Sequence, residues 1–389
     1  MIDVVVVGCG LSGMVVAREL AEKQMKVHII EKRNHIGGNI FDYYNSEGCL
    51  VQKYGPHVFF TNDEGIEQYV KKFVDIMPFF PEYRTKINGK YIPMPFNFAS
   101  IDLLYTKEHA ELLKGQLLNE FHNREIVSVL DLISSNVKEI HDYGMFMFEH
   151  EYRKYSSKHW NIPIDDIDPA VFTRVPVYLS YKREYEQHKY QFMPCGGFTK
   201  LAQEIINHEN ITYELNVDAL TRLKLNLDEK KCLYVDTNNE EKAIPIVYTG
   251  PLDELFSYKN GFLPYRSLEF VWKTIDSSKA PETEITAYPE GDKYLRITDY
   301  TRFPKQECKG KSFISIEIPV EYKKDELFGN EPYYPVLTEQ TKKISEQYYD
   351  DCKVFSNIFF CGRLAEFKYY NMDSIINNAK KLADSILQS

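Results

Sequence analysis

A β-branched run closing on a glycine-rich turn, a helical stretch over residues 100–160, and strand-like stretches over 174–195 and 211–300 predict an α/β fold. Its parts are a Rossmann-like dinucleotide domain, an inserted helical domain and an antiparallel β-sheet domain. Val4-Val5-Val6-Val7 favours a buried parallel strand, since branched side chains pack well on both faces of such a sheet. Gly8-Cys9-Gly10-Leu11-Ser12-Gly13 comes next. Met14–Lys23 then reads as a helix with Val15, Val16, Leu20 and Ala21 on its apolar side, and Lys26–Ile30 as a second strand ending at Glu31. Gly8, Gly10 and Gly13 allow a tight turn and bring backbone N–H groups close to a pyrophosphate at the helix N-terminus. Glu31 lies 18 residues past Gly13, where a carboxylate accepts hydrogen bonds from ribose hydroxyls. Arg33 is a competing clue, because an arginine there suits a 2′-phosphate. With Glu31 at the strand end, an unphosphorylated ribose is favoured. The motif by itself leaves NAD and FAD open.

The later elements are read from periodicity. Thr61 and Glu64 form a capping-box pattern for a helix running to about Phe73. Lys107–Phe121 carries Ala110, Leu113 and Leu117 at helical spacing, and Val137–Tyr155 carries Ile140, Tyr143 and Met147. The Met and aromatic stripe of that second helix is read as core. A helix is expected at about Phe198–Asn207, a charged hairpin at Asn226–Lys242, a short strand at Asn357–Phe360, and a helix at Ser374–Leu387 opened by Asp373. The cofactor domain is accordingly drawn over 1–76, 194–250 and 338–389. The helical domain is drawn over 100–160, and the sheet domain over 77–99, 161–193 and 251–337.

Composition narrows the function classes. The 389 residues are 43% hydrophobic and 27% charged, the balance of a folded globular chain. Lys plus Arg is 47 and Asp plus Glu is 57, so the net charge of 47 − 57 = −10 argues against nucleic acid as a partner. No apolar run approaches the roughly 18–20 residues of a membrane span. Met1-Ile2-Asp3 lacks the basic start of a signal peptide. The seven cysteines are scattered without a C-x-x-C pair, which fits reduced thiols in a cytoplasmic protein and no metal site. The 29 Tyr and 24 Phe are consistent with a large core or with a ring-lined pocket.

Glu31-Lys32-Arg33-Asn34-His35-Ile36-Gly37-Gly38-Asn39 sets a glycine pair just after the ribose-binding acid and resembles the FAD pattern of glutathione-reductase-like flavoproteins. Together with Tyr54–Asp63, Tyr155–Trp160, Arg174–Val177, Pro194–Leu201, Tyr248–Pro251, Tyr265–Leu268, Glu331–Val336 and Gly362–Tyr370, this block resembles the UDP-galactopyranose mutase family over nearly the whole chain. The resemblance implies non-covalent FAD, active when reduced by an external reductant such as NAD(P)H. It implies interconversion of pyranose and furanose forms of a nucleotide sugar through a flavin N5–sugar adduct, supplying furanose for surface polysaccharide, and a homodimer.

By the same resemblance Arg174 and Arg296 hold the diphosphate, with Arg266 a further candidate, while His57 and Arg363 lie beside the flavin. Arg33, Gly38, Asn39, Val217, Asn371 and Met372 join the cofactor set. Tyr185, Tyr334 and Tyr369 match phosphate-contacting tyrosines, and Tyr155 and Trp160 the nucleotide-and-sugar pocket. Three departures stand out. Phe60 replaces a histidine, Pro81 lies where a polar residue is common, and His159 precedes the tryptophan where the family has glutamine. A less polar pocket would suit the 6-deoxy sugar of dTDP-fucopyranose as well as UDP-galactopyranose, because an apolar site rejects an added hydroxyl only weakly. A redox flavoenzyme of the amine-oxidase type and a non-catalytic FAD module are the competing readings.

Overall fold

The computed structural model describes residues 2–160, 172, 175–183, 188–291, 293–306, 308, 310–324 and 330–388. Val4–Val7 is the central strand of a five-stranded parallel sheet. Its neighbours are Val27–Ile30, then Ile211–Glu214, on one side and Ile246–Tyr248, then Ile358–Phe360, on the other. All four valines are buried, and their alternation divides them between two cores. Val4 and Val6 pack under helices Leu11–Glu22, Phe198–Ile206 and Met372–Gln388. Val5 and Val7 face Tyr234, Leu252 and Tyr348 on the opposite side. Strands from both ends of the chain thus share one sheet, and the glycine turn leaves it at the C-terminal edge of its middle strand.

The first helix starts at Leu11, three residues before the expected Met14. Gly10 is its extended N-cap, so Gly13 falls inside the first turn. A Cβ on Gly13 would stand 2.1 Å from the Gly8 carbonyl oxygen, which is why the turn and the helix can approach so closely only with glycine there. The second expected N-terminus is also corrected. Thr61 ends the strand Phe59–Thr61, paired with Tyr190, and Asp63 caps the helix Glu64–Lys71 by accepting the Gly65 N–H at 2.7 Å. Strand pairing claims Thr61, so the Asp63 side chain takes the cap.

The second structural layer is a seven-stranded sheet in the order Tyr334–Pro335, Tyr265–Asp276, Lys311–Glu321, Arg296–Asp299, Ile285–Ala287, Tyr83–Ile87, Lys90–Met94. It is antiparallel except where Ile285–Ala287 runs parallel to Tyr83–Ile87. The described strands of 161–193 do not join it. Val177–Tyr178 pairs with Ile126–Val127 beside the helices, and Tyr190–Pro194 lies between Phe59–Thr61 and Ile76–Pro78. The helix expected over Val137–Tyr155 is continuous in direction but not in pitch. Lys138–Met147 is α-helical, Phe148–Tyr152 widens to a π-turn, and Arg153–Trp160 resumes the α-helix. Such a turn inserts an extra residue and re-aims the side chains of the next helical segment.

Gly13→Ala is expected to force the first helix away from the Gly8 carbonyl. Overpacking of this kind costs about 1–3 kcal/mol, and it should appear as a lower thermal midpoint of the purified protein.

Candidate active site

Two cavities adjoin, and His57 lies on the wall of both. The first runs along the glycine turn. Gly8, Gly10, Glu31, Arg33, Gly38, Asn39, Arg363 and Met372 line it. Gly38 has φ +56°, and a Cβ there would meet the Gly10 Cα at 2.8 Å, so the two glycine segments touch and leave a groove rimmed by backbone. The Glu31 carboxylate accepts N–H bonds from Cys9 at 2.7 Å and Arg33 at 2.9 Å, which fixes it at the strand end. Gly13, Val217 and Asn371, also expected in the cofactor set, are not among the residues lining it. Gly13 backs the turn, the Val217 N–H donates to the Glu31 carbonyl at 3.1 Å, and the Asn371 carbonyl accepts the Ile375 N–H at 3.0 Å.

Arg33 has a different task from the one its position suggests. Its guanidinium pairs with Glu331, donates to Asn39 Oδ1 at 2.9 Å, and lies 4.6 Å over the Tyr54 ring. Its charge is already spoken for, which agrees with a ribose that carries no 2′-phosphate. Arg363 is anchored by two carbonyls, Tyr333 O at 3.0 Å and Tyr370 O at 2.7 Å, while its Nε is buried with no hydrogen-bond partner among the described residues. Thr249 and Gly250 on the same wall carry no sequence-predicted role, although the glycine after strand Ile246–Tyr248 was the available signal.

The second cavity lies between the seven-stranded sheet and helix Arg153–Trp160. Phe60, Tyr155, His159, Arg296, Tyr334 and Tyr369 line it, with Pro81 beside them. The aromatic rings form a sequence of close contacts. Tyr155 stacks with His159 at 6.1 Å, His159 meets Tyr334 at 5.9 Å, and Tyr334 stacks with Tyr369 at 5.5 Å. Arg363 sits 4.5 Å over Tyr334 and 5.3 Å over Tyr369, joining this row to the first cavity. Arg266 is buried behind the wall, where its Nε donates to the His159 carbonyl at 3.0 Å. Arg174 and Tyr185 lie outside the described residues, as does the side chain of Trp160.

Arg296 is the cation on the wall. Its Nε donates to Glu317 Oε1 at 2.7 Å and its Nη1 to the Tyr83 hydroxyl at 3.0 Å. Burial alone would lower its pKa, but the Glu317 carboxylate outweighs that and holds the guanidinium charged. His57 behaves oppositely. Burial, with Arg363 and Arg296 nearby, pushes its pKa down to about 4. Its Nδ1 lies 2.8 Å from the Gly55 carbonyl, so Nδ1 carries the proton and donates, leaving Nε2 an acceptor at the junction of the cavities. Gln52 fixes the His57 backbone, accepting its N–H and donating to its carbonyl at 3.0 Å.

Sequence reasoning did not single out Glu151. It sits on the π-turn and the cavity wall, 5% exposed, and accepts a hydrogen bond from Thr85 Oγ1. Burial, partly offset by Thr85 and Lys158, pushes its pKa up to about 7.

Comparisons with known proteins agree over the whole length. The profile of the family described as UDP-galactopyranose mutase matches residues 150–369, and that of an NAD(P)-binding Rossmann-like domain matches residues 6–75. A UDP-galactopyranose mutase of Mycoplasma genitalium is 30% identical, with 99% of this chain and 95% of the relative covered. A dTDP-fucopyranose mutase of Escherichia coli is 29% identical, covering 100% of this chain and 99% of the relative. A crystal structure of reduced UDP-galactopyranose mutase superposes with a TM-score of 0.71 at 17% identity over 100% of this chain and 94% of that one, which is a likeness of fold. No described helix is long and apolar enough to cross a membrane.

Glu151 carries a signed pH dependence. Its pKa rises from 4.5 unfolded to about 7 folded, so its contribution to stability is full below about 4.5 and is lost as pH climbs through about 7. Glu151→Gln should flatten that part of the stability profile, read as thermal midpoint against pH between those two values.

Proposed function

The chain belongs to the UDP-galactopyranose mutase family, and from that membership we propose that it interconverts the pyranose and furanose forms of a nucleotide sugar, UDP-galactopyranose or its 6-deoxy counterpart dTDP-fucopyranose. The observation that carries this reading is the meeting of the two cavities at His57, with Arg296 on one wall and Arg363 reaching the other. A sugar nucleotide in the second cavity would present its anomeric carbon at that junction.

We assign FAD to the first cavity. The residues fit it: the touching glycine segments form a backbone-rimmed groove for a diphosphate, Glu31 stands at the ribose position, and the buried Arg363 Nε lacks, among the described residues, a partner that a bound group would supply. When bound and reduced by a donor such as NAD(P)H, the flavin supplies an electron-rich N5 that serves as a nucleophile toward carbon.

The chain's own residues perform the remaining tasks. Arg296 offers a guanidinium held in place by Glu317 and Tyr83, so it can receive the departing diphosphate without first being ordered. Arg174 and Tyr185 are proposed to join it on that anion, with Tyr334 and Tyr369 bordering the same space. Tyr155 supplies a ring face for the base. His57, neutral well below physiological pH, offers an acceptor where the sugar meets the cofactor and adds no cation to compete for the anion. Phe60 and Pro81 exclude water from the sugar.

The test is turnover of each nucleotide sugar by the oxidised and the reduced holoenzyme, with the furanose product resolved by chromatography. Furanose is expected from the reduced enzyme only. Absence of furanose from both substrates, or stoichiometric oxidation of either, sinks the proposal in favour of redox chemistry. Arg296→Ala should lower kcat/KM by roughly 10- to 150-fold, the scale of one charge-assisted hydrogen bond, while visible flavin absorbance is retained.

A further inference from the structure

We propose that the side-chain amide of Gln191 hydrogen-bonds one hydroxyl of the sugar ring and thereby determines which sugar the enzyme accepts. The inference rests on the nucleotide-sugar reading above. Gln191 lies on the strand Tyr190–Pro194, 6% exposed, on the wall of the second cavity. Its main chain is used: strand pairing engages it on both sides, and its carbonyl accepts the Phe79 N–H at 3.3 Å. Its side chain makes no hydrogen bond to any described residue, and Oε1 is fully buried. Buried polar side chains almost always find partners, so an unbonded amide on a cavity wall marks a ligand contact that the fold leaves open.

Its position identifies the part of the ligand. Gln191 stands directly opposite Phe60 in the antiparallel register, and such pairs project to the same face of the sheet. Phe60 is three residues beyond His57, at most about 10 Å of extended chain, and His57 borders the cofactor cavity. The sugar must occupy this end, because its reacting carbon has to reach the cofactor, whereas the diphosphate belongs at Arg296. Phe60, Pro81 and Phe303 contribute apolar surface to the same cavity. A neutral amide offers one donor group and one acceptor, the complement of a hydroxyl, and it brings no charge toward a dianionic substrate.

The consequence is asymmetric. A site that hydrogen-bonds a hydroxyl rejects the analogue lacking it far more strongly than an apolar site rejects an added one. The substitution of Phe60 for a polar residue therefore does not make the pocket indifferent, because selection passes to Gln191 on the facing strand.

The experiment measures kcat/KM of the reduced holoenzyme for UDP-galactopyranose and its 2-deoxy, 3-deoxy and 6-deoxy analogues, with wild type, Gln191→Leu and Gln191→Met. Wild type is expected to disfavour one analogue by at least about 10-fold. Both variants should bring that single ratio close to one and leave the other ratios unchanged. Gln191→Leu should also raise the thermal midpoint, since it replaces an unbonded buried amide with an apolar side chain of similar size. A common fall for all four sugars, or ratios that match wild type, overturns the inference. Gln191→Met, whose flexible chain fits irregular space, decides the matter should Gln191→Leu lose its flavin. Absence of furanose from every sugar with wild type, and from dTDP-fucopyranose run beside them, is a separate outcome. It removes the mutase reading itself, and this inference with it.

Discussion

The buried pairing of Arg296 with Glu317 is the constraint around which the second cavity is organised. The two residues are register partners on adjacent strands, so the sheet itself sets their separation. Glu317 is 0% exposed, and only one of its oxygens finds a partner in the protein. Taking both charges out of water is expensive, and a hydrophobic pair of like volume would serve stability as well or better. Removing only one partner would leave an uncompensated charge behind. The arrangement makes sense as a way to keep a rigid, permanently charged guanidinium on a cavity wall. The neighbouring Thr298 hydroxyl is likewise buried with no hydrogen-bond partner among the described residues, which extends the polar strip along the same pair of strands.

This constraint also reconciles the overall charge with the ligand. The chain carries a net charge of −10, which would repel a nucleoside diphosphate over long distances. Yet Arg266, Arg296 and Arg363 come from three separate segments and converge around the ring row of His159, Tyr334 and Tyr369. Cationic groups are therefore gathered locally at the site although the molecule as a whole is acidic. They act at short range, where partly buried charges are screened least.

The sequence made the nucleotide half legible because its signals are local. A branched strand, a glycine turn and a distal acid must sit at fixed spacing to work, and all three appear where expected. The misreadings have the same origin in reverse. Arg33 was left with two readings because Glu331, the partner that engages its guanidinium, is 298 residues away. Thr61 looked like a helix cap because the strand that claims it, through Tyr190, is remote in sequence. Gln191 and Glu151 gave no signal at all, since an amide lacking a partner and a carboxyl on a π-turn are properties of packing rather than of composition. The resemblance to a family supplied the roles expected of Tyr155, Arg296, Tyr334 and Tyr369 and marked Phe60, Pro81 and His159 as departures, but it gave no role to Gln191 or Glu151.

The Arg33–Glu331 bridge has an implication for how the two halves of the site are joined. Glu331 begins the segment that carries Tyr333, whose carbonyl holds Arg363, and Tyr334, a wall of the substrate cavity. Arg33 belongs to the dinucleotide wall. One ion pair thus ties a residue lining the first cavity to the segment that lines the second. Removing either partner of that pair would strand a largely buried charge at the boundary of both cavities.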